Sequence, residues 1–261
     1  MARLAAAEDR AVRLTALVLA GSRPGASDPV AAIEGVSHKV LAIVGGQTLL
    51  EHVVHALREY GVAEIAVSAN NPAVEAEALR LGTTLLPTAR GPSESVGLAF
   101  ERFGAPLLVT TGDHPLLEPG WIKDLVEGTP GPADVGLLLA ERDRVERAAP
   151  DTRRTWLSFA DGQWSGCNLF LLANPNAGRA ITAWKQVEAD RKRPWRIARR
   201  LGLGTLWSYW RGKLTLSAAI ARLGATLGVT AALVPAKDGR AAIDVDTPED
   251  LALVRRLVAE A

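Results

Sequence analysis

Cysteine is almost missing from this chain of 261 residues: Cys167 stands alone. One thiol excludes a disulfide framework and any cysteine-based zinc site, and it fits a reducing compartment. Histidine is also sparse. His38, His52, His55 and His114 are the only four, and their spacing matches no zinc motif. Long apolar runs are absent, for no stretch approaches the ~20 uncharged residues of a membrane-spanning helix. The first residues carry Arg3, Glu8, Asp9, Arg10 and Arg13 instead of an apolar signal core. The expectation is a cytoplasmic protein. Two phosphate-binding signatures, G-x-x-x-x-G-K-[ST] and G-x-G-x-x-G, do not occur. Nor is there an excess of charge. Lys and Arg number 30 against 29 Asp and Glu, a formal +1, which argues against a dedicated nucleic-acid binder.

The near-zero average hides a segregation. Residues 174–213 hold ten Lys/Arg and two Asp/Glu, a local +8, so the remaining 221 residues carry −7. The 48% hydrophobic content is ample for a core. Apolar runs of strand length alternate with amphipathic stretches of helix length. Strands are expected at 14–20, 64–69, 83–86 and 106–110. Helices are expected at 48–60, 72–81 and 93–103, the last opened by a serine cap. Such alternation predicts a Rossmann-like, three-layer α/β/α fold with a mostly parallel sheet. Later the rhythm changes. After a strand at 134–140, runs at 155–160 and 164–172 flank Asp161-Gly162, a hairpin signal. The basic segment then predicts two or three helices through about residue 227. Strands at 229–234 and 241–245 and a helix at 247–259, capped by Thr247, close the pattern. The chain reads as one domain, 1–261, with a basic, Trp-rich helical insertion at 174–227.

Chemistry-bearing residues gather at the predicted strand ends. Strand 1 runs into Gly21-Ser22-Arg23-Pro24-Gly25. A loop there lies at the carboxyl edge of the sheet, where open α/β folds bind ligands. Its glycines let backbone approach phosphate, and Arg23 adds a bidentate donor. Lys39 supplies a second cation. A plain surface turn is the competing reading. The strand at 106–110 runs into Thr111-Gly112-Asp113, placing a carboxylate at the same edge, suited to Mg²⁺ or to an Asx turn. In Ile243-Asp244-Val245-Asp246, alternation puts both aspartates on one face of an extended strand, a costly arrangement without a cation. Helix capping is the rival role for Asp246.

Three segments, LVLAGSRPG with HKVL, VTTGDHPLL, and IDVDTPEDL, in this order and each at a strand end, resemble nucleotidyltransferases with a molybdenum-cofactor-guanylyltransferase-like NTP transferase domain. That family has the fold of nucleotide-diphospho-sugar transferases. The resemblance implies transfer of NMP from an NTP, CTP or GTP, to a phosphorylated acceptor with release of pyrophosphate. The acceptor would be a sugar, polyol or lipid-head-group phosphate. By motif, Gly21, Ser22 and Gly25 correspond to the triphosphate loop, and Arg23 and Lys39 to the catalytic cations. Gly91, Ser95 and Asn70 correspond to base-contacting positions. Asp113, with Asp244 or Asp246, corresponds to the Mg²⁺ ligands, and Arg154 and Asn168 are placed towards the acceptor. The loop departs from the family pattern: Ser22 follows Gly21, Pro24 stands where methionine is usual, and Lys39 lies sixteen positions past Arg23.

The basic segment stands outside these motifs. Four of the seven tryptophans, Trp184, Trp195, Trp207 and Trp210, fall within it. Residues 190–213 read as a peripheral contact with an anionic membrane at its inner surface, an acceptor-binding surface, a homodimer contact, or a solvated face with inward tryptophans. Two rival functions remain beside nucleotidyl transfer: a glycosyltransferase of the same fold, and a non-catalytic membrane-associated binding protein. No partner nucleic acid is expected. Cys167 reads as a small core residue.

Overall fold

The computed structural model describes residues 14–22, 25, 27–190 and 203–260. Its centre is an eight-stranded sheet. Strand β1 (Thr15–Leu19) is flanked by two parallel neighbours, β4 (Glu64–Ala69) and β6 (Leu107–Thr111). Beyond β4 lies β5 (Thr84–Pro87), also parallel. A separate two-stranded ribbon pairs β2 (Ile43–Val44) with β3 (Gln47–Thr48).

The other half of the sheet is mixed. β9 (Gly162–Leu172) runs antiparallel between β6 and β7 (Val135–Glu141), and β10 (Ala231–Pro235) pairs in parallel with β7. The order is therefore β10-β7-β9-β6-β1-β4-β5, with β8 (Leu157–Phe159) hairpinned onto β9. β1 is the point at which successive crossovers turn from one side of the sheet to the other, so the crevice between the ends of β1 and β6 is the natural ligand site.

Alternation along β1 builds the two faces. Ala16, Val18 and Ala20 join one core with Leu50, Val53 and Ile122, whereas Leu17 joins the other with Val96, Ala99 and Ile181. Helices Leu49–Tyr60 and Pro119–Gly128 thus cover one face, and Pro92–Phe103 and Gly178–Asp190 the other. A third, smaller core joins Val30, Val44, Leu49, Ile243, Val245 and Leu251. It binds the helix Pro29–Glu34, the ribbon and the C-terminal helix Pro248–Ala259 into one corner beside the crevice.

Some expectations change. No strand forms at 241–245. Asp238 caps a 3-10 turn, Gly239–Ala242, by accepting from the Arg240 amide, and Gly239 lies so close to Arg144 that a Cβ would come within 2.1 Å of the Arg144 carbonyl oxygen. The helix at 92–103 has no serine cap, because Gly91 takes the N-cap and Pro92 the first turn, leaving Ser93 buried inside. The stretch after Asp28 is ordered, not irregular. Asp28 caps the helix Pro29–Glu34, and His38 caps the 3-10 turn Lys39–Leu41. Thr247 does cap the final helix, in a reciprocal capping box with Asp250. The described part of the basic segment forms helices Gly178–Asp190, Leu203–Trp210 and Leu216–Thr226. Residues 191–202 lie outside the described residues.

Candidate active site

Four loops meet at the carboxyl edge of β1, β4, β5 and β6. The β1 loop is fixed first. Ala20 donates to the Ser68 carbonyl at 2.9 Å, and Gly112 donates to the Leu19 carbonyl at 2.9 Å. Asn70 then clasps Ser22 from both sides. Its Oδ1 accepts from the Ser22 amide and its Nδ2 donates to the Ser22 carbonyl, each at 2.9 Å. The side chain expected at the base is thus engaged in shaping the β1-loop backbone.

Gly21 is required by space. A Cβ there would stand 2.5 Å from Thr88 Cγ2, at the end of β5. Gly25 has φ +71°, a left-handed conformation that favours glycine. Arg23 lies outside the described residues. Ser95 Oγ accepts from the Ala89 amide at 3.0 Å and closes the β5 loop, which ends at the extended Gly91. Changing Gly21 to alanine should cost about 1–3 kcal/mol of stability through this clash. Thr88→Ser removes the offending methyl, so the double variant should regain most of the lost melting temperature. A Gly21→Ala melt equal to wild type would remove the steric argument.

Lys39 is delivered by the ordered stretch after Asp28. Asp28 accepts from the Ala31 amide with Oδ1 and from the Lys39 amide with Oδ2, at 3.0 and 2.8 Å. Ser37 is held by Asn71 through two hydrogen bonds. The Lys39 ammonium consequently sits between two carboxylates. It is 2.6 Å from Asp113 Oδ2 and 2.5 Å from Asp246 Oδ1. Burial opposes its charge, but the two acids outweigh burial and its pKa is raised. Asp113 is lowered for the reciprocal reason: Lys39 more than offsets desolvation. Asp113 Oδ1 is buried and has no hydrogen-bond partner among the described residues.

Asp244 and Asp246 reach this place by backbone pairing. The Val245 amide donates to the Asp113 carbonyl at 2.9 Å, and the fully buried Ile243 and Val245 anchor the segment. The aspartates then part company. Asp246 is 62% exposed and turns to Lys39. Asp244 is mostly buried and turns to Arg154, whose two terminal nitrogens both donate to Oδ1, while Asn168 Nδ2 donates to Oδ2. Burial pushes Asp244 up to about 6, despite the pull of Arg154, and Asp113 and Asp246 add to the rise.

Asn168 reaches Asp244 because β9 is irregular. The β7 pairing jumps from Phe170 to Gly166 while β7 advances only from Leu137 to Leu139, and Asn168 takes φ +48°. A bulge of this kind re-aims a side chain beside a site. Arg154 and Asn168, expected to face an acceptor, are thus brought together on a carboxylate. The neighbouring Cys167 is buried, and burial first, Asp244 second, pushes its thiol up.

Behind the cluster lies His114, a residue without an assigned role in the sequence. It is 1% exposed, its ring stacks on Trp121 at 5.8 Å, and neither ring nitrogen completes a hydrogen bond among the described residues. Burial lowers its pKa to about 4, against the opposing pull of the Asp113 carboxylate. The unfolded chain therefore binds the proton more tightly. Stability is complete above the ordinary histidine value of about 6.5 and is lost as pH falls from there to about 4. The loss should reach about 3 kcal/mol, and His114→Phe should flatten that limb of a pH–denaturation series. An unchanged limb would place the acid sensitivity elsewhere.

The cluster contains three carboxylates and two cations around a neutral imidazole. Among the described residues no group of three or more His, Cys, Asp or Glu is arranged to hold a metal ion. A surface cleft of about 510 Å³ between Asp151–Arg153 and the start of the final helix lies next door, and it includes none of these side chains.

Comparison with known proteins identifies the family and the fold. The model of the MobA-like NTP transferase domain matches residues 16–203. A hypothetical transferase from Thermus thermophilus is 31% identical, over 92% of this chain and 99% of its own, with a TM-score of 0.78. A nucleotidyl transferase from Methanothermobacter thermautotrophicus, 20% identical, shares the fold over 95% of this chain and 98% of its own, with a TM-score of 0.56. A CTP:phosphocholine cytidylyltransferase from Streptococcus pneumoniae, 11% identical, does so over 95% and 100%, with a TM-score of 0.57. No curated protein matches the chain. With loops from β1, β4, β5 and β6 converging where the family model matches, the chain belongs to the family of MobA-like NTP transferase domains.

Proposed function

We propose that this chain is an Mg²⁺-dependent nucleotidyltransferase that moves NMP from CTP or GTP to a phosphorylated small acceptor. General NTP-dependent nucleotidyl transfer follows from the family. The observation that carries the finer reading is the Lys39 ammonium seated between Asp113 and Asp246, beside the buried, unpartnered Asp113 Oδ1. An oxygen-only donor set with one spare buried oxygen suits a hard divalent cation. Asp113 and Asp246 are the better ligands. Both oxygens of Asp244 are already engaged by Arg154 and Asn168.

In this reading the Gly21–Gly25 loop takes the triphosphate, with Arg23 and Lys39 as its cations. Asn70 fixes the loop, and Gly91 and Ser95 form the wall near the base. Arg154 and Asn168 hold Asp244 as a rigid acidic neighbour that orients the acceptor side. An acceptor phosphate oxygen forms a bond to the α-phosphorus. The bond from that phosphorus to the bridging oxygen breaks, and the electron pair leaves with pyrophosphate. No strong base is needed, because the attacking phosphate is already ionised at neutral pH. Lys39, freed from a carboxylate, neutralises charge on the departing group. Mg²⁺ would supply further neutralisation across the phosphates.

The test is pyrophosphate release across each NTP paired with a panel of sugar, polyol and choline phosphates. Calorimetric titration of Mg²⁺–NTP provides a second readout. The phosphocholine specificity of the Streptococcus relative makes CTP with choline phosphate a sensible first pair. If no pair yields pyrophosphate and no NTP binds, the reading fails.

A further inference from the structure

The helix Leu203–Trp210 presents three aromatic rings that stay half or more exposed among the described residues. Trp207 is 55% exposed, Tyr209 50% and Trp210 77%. Large apolar groups exposed together mark an interaction surface more often than a lone exposed side chain does. Their arrangement is fixed. The Trp207 and Trp210 rings lie 5.3 Å apart, and the Arg211 guanidinium stands 4.9 Å over Trp207. The edge of Tyr209 meets Phe159 at 5.7 Å, and the Ala160 amide donates to the Leu214 carbonyl at 2.9 Å. The Tyr209 and Leu214 contacts staple this end of the helix to the β8–β9 hairpin, and the paired Trp207 and Trp210 rings form an exposed platform beside them.

Charge selects what the platform meets. Arg211 and Lys213 follow the helix directly and both are exposed. In sequence, residues 191–202 immediately before it hold six Lys/Arg and no acid. The rest of the chain outside 174–213 is net −7. The charge is segregated along the sequence, and the described cations beside the rings, Arg211 and Lys213, suit an anionic surface. Trp and Tyr, with an apolar body and one polar atom, favour the boundary between water and lipid. Exposed aromatics beside Lys and Arg are the combination that seats a helix in an anionic interface. A polyanion such as nucleic acid would satisfy the charge but leave an apolar platform of this size to base stacking alone, and a second copy packed face to face on the same patch would bring like charge to like.

We propose that the aromatic face of Leu203–Trp210 docks on an anionic lipid surface and anchors the protein there peripherally. Among the described residues no helix is long and apolar enough to cross a membrane. The docking is therefore interfacial and reversible, and it stands independently of the proposed reaction.

The test is co-sedimentation of the full chain with phosphatidylglycerol-containing and with pure phosphatidylcholine vesicles, at low and high salt. Binding to the anionic vesicles should exceed binding to the neutral ones at least tenfold and should weaken steeply with salt. Tryptophan emission should shift to the blue on binding. The Trp207→Ala/Trp210→Ala variant should lose at least tenfold in partitioning, with an unchanged melting temperature. Arg211→Gln/Lys213→Gln is a second variant that leaves the rings in place; it should weaken binding to anionic vesicles alone. Several outcomes would overturn the proposal: no binding to anionic vesicles at low salt, equal binding to neutral ones, or binding unaltered in both variants. So would single-stranded DNA bound more tightly than the vesicles, or a dimer in solution that the tryptophan substitutions dissolve.

Discussion

Lys39→Met is expected to lower turnover by a factor of about 10² to 10³, the usual cost of losing one preorganised charge at a reacting phosphate, while strengthening metal binding in the absence of nucleotide. The two effects have one cause. In the proposed reading, the ammonium and a divalent cation would compete for Asp113 and Asp246, which Lys39 holds at 2.6 and 2.5 Å. Removing it leaves two carboxylates facing each other with nothing between. Without its ammonium partner the buried Asp113 binds a proton more readily, so the variant should also become less stable as pH rises through the carboxylate range. The fold of the segment should survive, because Asp28 holds the Lys39 backbone amide and not its side chain. Manganese titration followed by magnetic resonance reads the metal arm without any turnover. If metal binding and turnover fall together, Lys39 is a structural strut and the competition does not exist.

The second large effect is expected at Asp113. Asp113→Asn should reduce pyrophosphate release by about 10² to 10³ and weaken Mg²⁺–NTP binding in calorimetry. Wild-type Asp113 offers one oxygen to Lys39 and keeps a second, buried and unpartnered. Asparagine keeps the volume but removes the charge, and its amide hydrogens meet an ammonium where an acceptor is needed. A stability signature accompanies this. The wild-type carboxylate is lowered, so its contribution is present above the ordinary aspartate value and fades as pH falls. The variant should lack that acid dependence. Asp246→Asn should lower metal binding more than Asp244→Asn, because Asp244 has both oxygens committed to Arg154 and Asn168. The reverse order would exchange the two roles. Wild-type turnover in Asp113→Asn would place the chemistry elsewhere.

The parallel half of the sheet was readable because its signals are local. Three of its four strands, β1, β4 and β6, are buried runs that lead into glycine or asparagine. The elements at Glu64–Ala69, Leu107–Thr111 and Leu49–Tyr60 appear within a residue of expectation. Gly21 and Asp113 could be picked out for the same reason: both follow directly on such runs. What sequence could not disclose is pairing over distance. Arg154 and Asp244 are 90 positions apart, and nothing around either names the other. Asn168 reads as an ordinary strand residue, and only the two-against-four mismatch of β7 and β9 shows that it is turned out of the ladder. Asn70 illustrates a subtler limit. Its position at the end of β4 was evident, but whether its amide met a ligand or the Ser22 backbone depended on where the β1 loop lay. The expected strand at 241–245 gave way because Asp238 offered its backbone a local turn, and β10 already occupied the sheet edge.

The Lys39–Asp246 contact joins residues 207 positions apart. On a ribosome that interval is time. The β1 loop, Lys39 and Asp113 emerge and can fold with local crossovers long before residues 243–246 exist to lie against them, since domains fold as their segments are made. Until Val245 pairs with the Asp113 backbone, the ammonium has one acid partner, and the corner built by Ile243, Val245 and Leu251 is open to water. A chain cut before residue 243 would thus hold Lys39 against Asp113 alone, with its second acid partner missing.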